Sequence, residues 1–356
     1  MIPLWFIHAG VAMPSTRLAT FIHISDLHFG RLDPASGDAT YSPLATQVYS
    51  NQNWLDGLLG HHGRALKELH AFVSGLKKTE PDLRLIVSGD LSRCGDNQEL
   101  DLARNYIKAR IDLNPPLGNM VGLRLEERIL VIPGNHDQWG GTQSPFGNGA
   151  SNYTTYFPRP LPFIHPVPLS NGKRIVFIGI DSDADVAPRS FKRTLAIGAF
   201  ESQLNALNKL LQPKPADEFR VLLIHHSRSQ RGATLRMARA SKWALENFIC
   251  YQQISALLCG HSHLALLQPF QAWSGLHVRA VHELRAGSTT QLDTVPPHWQ
   301  TINQQLPVKP GWTANSLLVH RIYDNSGAME WDTEIWIRGK RGFKALPSQG
   351  HAFALV

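Results

Sequence analysis

Five apolar runs in this chain each stop on side chains able to bind a cation. The runs are "ATFIHISDLH", "LRLIVSGD", "RILVIPGNHD", "RVLLIHHS" and "ISALLCGHSH". Their polar ends are Asp26 and His28, then Asp90, then Asn135 and His136, then His225, then His261 and His263. Any one of these is more often an ordinary turn or a half-buried polar pair than a site. Five in order, each closing an apolar run, constrain the fold much more. Strand C-termini along one edge of a sheet are where α/β proteins build sites.

The residue types point to a metal. Carboxylate, amide and imidazole groups without thiolate suit borderline first-row ions such as manganese, iron or zinc. In an extended segment Asp26 and His28 project to one side, as do His261 and His263, so each pair reaches one centre. The glycines before Asp90, Asn135 and His261 let the backbone turn as each ligand leaves its strand.

Between the runs the apolar period changes from two to that of a helix. Leu66, Leu69, Val73 and Leu76 predict one helix, Leu100, Ala103 and Ile107 a second, and Leu204, Leu207 and Leu211 a third. A fourth is predicted from about Leu235 to Phe248, and "RIVFIGIDS" is a further strand. Beyond "ISALLCGHSH" the helices stop. "LHVRAVHELRAGS", "NSLLVHRIYD" and "MEWDTEIWI" read as strands, the last two a hairpin turned at Asn325 to Gly327. Strand–helix alternation followed by strands alone predicts a layered α/β domain finished by antiparallel strands. Long aperiodic connections at about 31–63, 138–171 and 287–312 are expected to be functional loops or insertions.

Composition narrows the class. With 356 residues, 43% hydrophobic and 18% charged, the chain can bury a sizeable core and is not of disordered composition. The net charge of +7 suits anionic ligands. The basic residues are scattered, with no long Lys/Arg run and no zinc-finger spacing, so nucleic acid is not the favoured partner. Cys94, Cys250 and Cys259 are odd in number and lack CxxC pairing, which favours a reducing compartment over a disulfide framework. The opening "MIPLWFIHAGVAMP" has no Lys or Arg before its apolar stretch, so a secretory leader is not expected, and Met13 is a second candidate start. No stretch is long enough to span a membrane. A cytoplasmic location is expected, and a homo-oligomer is compatible with the sequence.

On the motifs "DLH", "GD", "GNHD", "IHH" and "GHSH", spanning roughly Phe21 to His263, the sequence resembles the calcineurin-like metallophosphoesterases. The resemblance implies a four-layer αββα sandwich of two mixed sheets flanked by helices, with a dinuclear metal site at one sheet edge. It implies a catalytic domain over 19–340, between an N-terminal extension (1–18) and a C-terminal tail (341–356). By position, Asp26, His28 and His263 would hold one ion, Asp90 would bridge, and Asn135, His225 and His261 would hold the second. His225 is preferred to His226 because it follows the strand where the family's first histidine stands. Two such ions, of manganese, iron or zinc, share and acidify a water that attacks the phosphorus. His136 would serve the leaving or equatorial oxygen, and Asp137 would orient a neighbour.

Departures from the family's patterns suggest a branch. Protein Ser/Thr phosphatases of the superfamily carry an Asp-Arg pair where this chain has Arg93 and Cys94, and Glu where it has Asp137. "GDLSRCGDNQEL" instead resembles the "GDL-x-x-x-G-x-x-x-E" run of the cyclic-nucleotide and small-diester phosphodiesterases. A small-molecule phosphodiester is therefore the expected substrate. A phosphomonoesterase, a nuclease and a non-catalytic scaffold of the same fold are the alternatives. Arg93, Arg228 and Arg231 are candidate substrate-binding residues, with Arg236 and Arg239 further along "HHSRSQRGATLRMAR". Tyr41, Tyr49, Trp54, His61 and His62 form an aromatic-bearing loop that would suit either a lid over the substrate or a dimer contact.

Overall fold

Side chains along each central strand alternate between two packing environments, and this alternation sets the layers. The first strand, β1 (Thr16–Ile24), turns Ile22 and Ile24 toward two helices, α1 (Gly63–Thr79) and α2 (Asn97–Lys108). There they pack with Leu66, Leu69, Leu100 and Ala103, whereas Phe21 points the other way, onto Phe177 and Val221 of a second sheet. β2 (Arg84–Val87) divides in the same manner, Leu85 and Val87 toward the helices and Ile86 inward. In computed structural model form, the structure describes residues 15–30, 61, 63–112, 120–125, 128–141, 151–290, 315–339, 341–346 and 350–355. Tyr41, Tyr49, Trp54, His62 and most of the expected insertions at 31–63 and 287–312 lie outside the described residues.

Two short strands, β3 (Ile111–Asp112) and β4 (Met120–Val121), form a separate pair before β5 (Ile129–Val131). The second sheet's first strands are β6 (Phe163–Pro168) and β7 (Arg174–Gly179), followed by α3 (Glu201–Leu210) and β8 (Glu218–Leu223). Next come α4 (Arg239–Gln252), β9 (Ile254–Cys259), β10 (Leu266–Ser274) and β11 (His277–Arg285). The chain closes with β12 (Ser316–Asn325), β13 (Ala328–Gly339), β14 (Gly342–Ala345) and β15 (His351–Ala354).

One sheet runs β14-β13-β12-β1-β2-β5, with β15 also paired to β13, and the other runs β10-β11-β9-β8-β7-β6. Both are mixed: β1, β2 and β5 are parallel, as are β7, β8, β9 and β11, with antiparallel partners outside them. The second sheet repeats the alternation. Val176, Ile178 and Leu222 pack on α3 and α4, while Ile175, Phe177 and Val221 face the first sheet. The order is thus helices, sheet, sheet, helices, the four-layer αββα arrangement expected. No helix among the described residues is long and apolar enough to cross a membrane.

Several element boundaries differ from the sequence reading. β1 begins at Thr16, inside the segment set apart as an N-terminal extension. The segment from 341 holds β14 and β15, which pair with β13 on the side opposite β12, and Phe353 and Leu355 enter the core between the sheets. The fourth helix starts at Arg239 rather than Leu235. β6 falls inside the connection expected at 138–171, and β10 is a strand that the sequence reading does not include. Each carries proline, Pro166 and Pro168 in β6 and Pro269 in β10, and each lies at a sheet edge, where a missing N–H costs no ladder bond.

Candidate metal centre

The parallel strands of both sheets deliver their C-terminal ends to one place. After β1 the chain continues beside the segment that follows β2, through Asp26 N–H to Gly89 O (3.0 Å) and His28 N–H to Asp90 O (3.0 Å). Leu27 and Phe29 alternate into the core between these residues. Asp26, His28, Asp90, His261 and His263 all have φ between 48° and 72°. The left-handed region is unfavourable for residues other than glycine and persists where the surroundings over-determine it. Asp26 and His28 do converge, as do His261 and His263, but not by strand alternation: β1 ends at Ile24 and β9 at Cys259. Left-handed turns aim them.

Two clusters result, and they share a residue. Asp26, His28, Asp90 and His263 offer ligand atoms that all lie within 4.8 Å of one another, and so do Asp90, His225 and His261. Each carboxylate has one oxygen fixed by a main-chain donor and one turned to the cluster. Asp90 Oδ1 accepts from His136 N–H at 3.0 Å, while Oδ2 lies 3.2 Å from His225 Nε2 and 3.8 Å from His28 Nε2. Asp26 Oδ2 accepts from His261 N–H at 3.1 Å, leaving Oδ1 3.3 Å from His263 Nε2. His225 Nδ1–H donates to Ser88 O at 2.7 Å, which directs Nε2 inward.

The donor set fits cations. His28 Nε2 and His263 Nε2 face each other at 3.3 Å, and His225 Nε2 and His261 Nδ1 at 3.1 Å. Ligand nitrogens bound at about 2.0–2.1 Å around one tetrahedral ion are separated by about 3.3 Å, so these spacings match a shared ion. Asn135 is buried with both side-chain polar atoms lacking any hydrogen-bond partner, and Asp26 Oδ1, His28 Nδ1 and His261 Nε2 are likewise unsatisfied. Buried polar atoms left in this way cost about 1–3 kcal/mol each, and a bound ion removes that cost for those it contacts.

Electrostatics follow from this crowding. Burial opposes charge on Asp90, but His225, His136 and His28 outweigh it and hold the carboxyl well below its usual range. Burial also opposes charge on His225, yet Asp90 and Asp26 push it up to about 10. His28 is driven down to about 3, chiefly by burial, and burial with the neighbouring His226 and His225 puts His261 well below the usual imidazole value.

His136 lies between His28, with ring centroids 4.9 Å apart, and Trp139, at 4.2 Å. Its Nδ1–H donates to Arg93 O at 2.8 Å, so the neutral ring carries its lone pair on Nε2. Asp137 accepts four hydrogen bonds, from Leu91 N, Ser92 N, Ser92 Oγ and Gly134 N, at 2.7–3.1 Å. It thereby ties the segment after β5 to the segment after β2. Burial pushes its carboxyl up to about 7.

Two of the three arginines expected at substrate have other partners. Arg93 is buried, its Nε on Glu99 Oε1 at 3.1 Å, and what it turns toward the centre is the carbonyl that holds His136. Arg228 donates from Nε and Nη2 to Glu246 Oε1, at 3.1 and 2.6 Å. Arg231 is exposed. His61, from the aromatic-bearing loop, is buried and accepts from Gly30 N–H at 3.2 Å.

Sequence reasoning did not single out a third group beside the centre. Asp181, Ser182 and Asp183 follow β7. Asp181 Oδ2 accepts from Gln138 Nε2 at 2.9 Å. Ser182 Oγ lies 2.7 Å from Nδ1 of His226, whose ring sits 4.1 Å from that of His261. The signal was present: "RIVFIGIDS" is one more apolar run closing on an acid.

A profile of the family described as calcineurin-like phosphoesterase matches residues 19–265. The chain belongs to this family. Among proteins of curated function no sequence matches it. Its fold is similar to that of a putative 5'-nucleotidase from Staphylococcus aureus, at 10% identity and a TM-score of 0.40, over 95% of this chain and 54% of that one. The chain thus spans about half the length of that protein. It is also similar to Vps29 from Entamoeba histolytica, at 12% identity and a TM-score of 0.35, over 94% of this chain and 99% of that one. Vps29 from Chaetomium thermophilum matches at 9% identity and 0.33, over 96% and 100%. A metallophosphoesterase domain with a buried His/Asp cluster suited to two ions is what the family and the geometry together establish.

Proposed function

We propose that this metallophosphoesterase hydrolyses a phosphodiester of a small molecule, in the manner of the cyclic-nucleotide and small-diester branch. The observation that carries the reading is Asp90, which belongs to both clusters: its Oδ2 lies near Nε2 of both His225 and His28, while its Oδ1 fixes the main chain of His136. Asp26, His28 and His263 hold one ion with Asp90, and Asn135, His225 and His261 hold the other. Manganese, iron and zinc all suit these donors. When bound, two such ions acidify water and take up negative charge from phosphate oxygens.

The chain's own residues supply the rest. Asp137 holds the two segments that carry Asp90 and Asn135 at a fixed separation. The Arg93 carbonyl keeps Nδ1 of His136 occupied, so in the protonated ring Nε2–H is directed to the leaving oxygen and lends it a proton or a hydrogen bond. Commitment of the Arg93 guanidinium to Glu99 favours a diester: a diester monoanion needs less positive complement than a monoester dianion.

The test is a metal-supplemented hydrolysis screen over bis-p-nitrophenyl phosphate, p-nitrophenyl phosphate, a cyclic nucleotide and single-stranded DNA. Diesters are expected to turn over fastest. Asn135→Ala should lose one of two metal equivalents, whereas His136→Ala should keep both and lose about 10²–10⁴-fold in kcat. Wild-type diesterase rates in both variants would refute the assignment. A protein that no metal activates would be a scaffold of this fold.

A further inference from the structure

α4 joins two parallel strands, β8 and β9, so its first turns stand at the sheet edge that carries His225 and His261. Arg239, Lys242, Trp243 and Glu246 on those turns line an open cavity of about 640 Å³. The first turn of α4 has no acidic residue, the reverse of what the helix dipole favours. The loop leading into it supplies Arg228 and Arg231. Burial and then the charge of Arg228 lower the Lys242 ammonium; Glu246 opposes them, and Arg231 adds a smaller effect in the same direction as Arg228.

Two carboxylates near Lys242, Glu246 and Glu283, offset part of this charge, and both have other partners. Glu246 is taken by Arg228, which also lies 4.6 Å from the Phe270 ring centre. Glu283 is engaged by Ser227 and Ser229. Among the described residues, no ion pair forms at Arg231, Arg239 or Lys242. Beside them the Trp243 indole is 70% exposed. Crowded cations and a bare indole are both costly in water, and one kind of ligand relieves both, an anion attached to a flat ring.

We propose that this surface is a second subsite, holding the phosphate and base of a nucleotide unit that the substrate carries beyond the ester being cut. The role in substrate binding rests on the diesterase reading; nucleotide binding does not. Two measurements on the metal-loaded full chain separate them. In calorimetric titrations, Lys242→Glu should weaken both ADP and inorganic pyrophosphate at least tenfold. Trp243→Ala should weaken ADP about tenfold and leave pyrophosphate as it was, because only ADP has a base to stack. Equal affinities in wild type and variants, or no ADP binding by wild type, would overturn the subsite.

In the second measurement, the ratio of KM for the 5'-phosphorylated dinucleotide pApA to KM for bis-p-nitrophenyl phosphate should rise at least tenfold in Lys242→Glu. An unchanged ratio alongside lost ADP binding would mean that free nucleotide, not substrate, occupies the surface, and would overturn the substrate role. Absence of diesterase activity in wild type would refute the proposed reaction while leaving the titrations a full test of the subsite.

Discussion

Five of the seven metal-ligand candidates hold left-handed backbone, a conformation that the residue types alone disfavour. The residues that the fold gathers into the two clusters were legible from their chemistry and their place after apolar runs, but the turns that aim them were not. A strand pattern says nothing of φ once the strand has ended. The same limit explains Arg93: sequence placed it near the phosphate, while a buried carboxylate six residues on, Glu99, takes its guanidinium. A residue beneath the centre gives a pH test. His23 is fully buried with Nε2 2.8 Å from Ser88 Oγ, and burial lowers it to about 3, against a smaller opposing effect of Asp26. The unfolded chain takes up a proton there near 6.5 and the folded chain only near 3, so this group's contribution to stability is present above 6.5 and declines as pH falls through that window. Denaturant unfolding of wild type between pH 6.5 and 4 should therefore lose stability more steeply than His23→Asn, by about one proton's worth of slope. Parallel profiles would rule this out.

At the scale of elements, the alternating strands and amphipathic helices were readable because burial follows period. The edge strands β6 and β10 were not, because their prolines argue against a strand unless an edge position is known. The two sheets meet at a contact no local pattern announces. A Cβ on Gly260, after β9, would lie 1.8 Å from Ser25 Oγ and 2.7 Å from Asp26 Oδ2, after β1. Gly134 is as confined, 2.1 Å from Asp90 Oδ1. These glycines permit close approach of two ligand-bearing segments, a role different from the sharp turn that Gly89, at φ 105°, does supply. Gly260→Ala should cost about 1–3 kcal/mol in stability and weaken metal binding at the cluster of Asp26 and His263. Thermal melts and metal titration would check it, and unaltered values would mean the two sheets are less closely joined here.

For the whole molecule, the four layers and the shared edge followed from five motifs and a resemblance, whereas the C-terminal boundary did not. The segment set apart as a C-terminal tail, 341–356, holds β14 and β15, which cover the free side of β13, and the Phe353 ring is stacked 3.7 Å from His282 of the second sheet. Phe353→Ala should destabilise the domain by about 3 kcal/mol, a loss visible in chemical unfolding; a change within error would mark that segment as dispensable. The architecture as a whole exists to bring ends of strands from two sheets around Asp90. Manganese soaked into crystals and located by anomalous scattering addresses this most directly. Two peaks about 3.5–4 Å apart with the Asp90 carboxylate between them are predicted. A single peak, or peaks away from Asp90, would contradict the account.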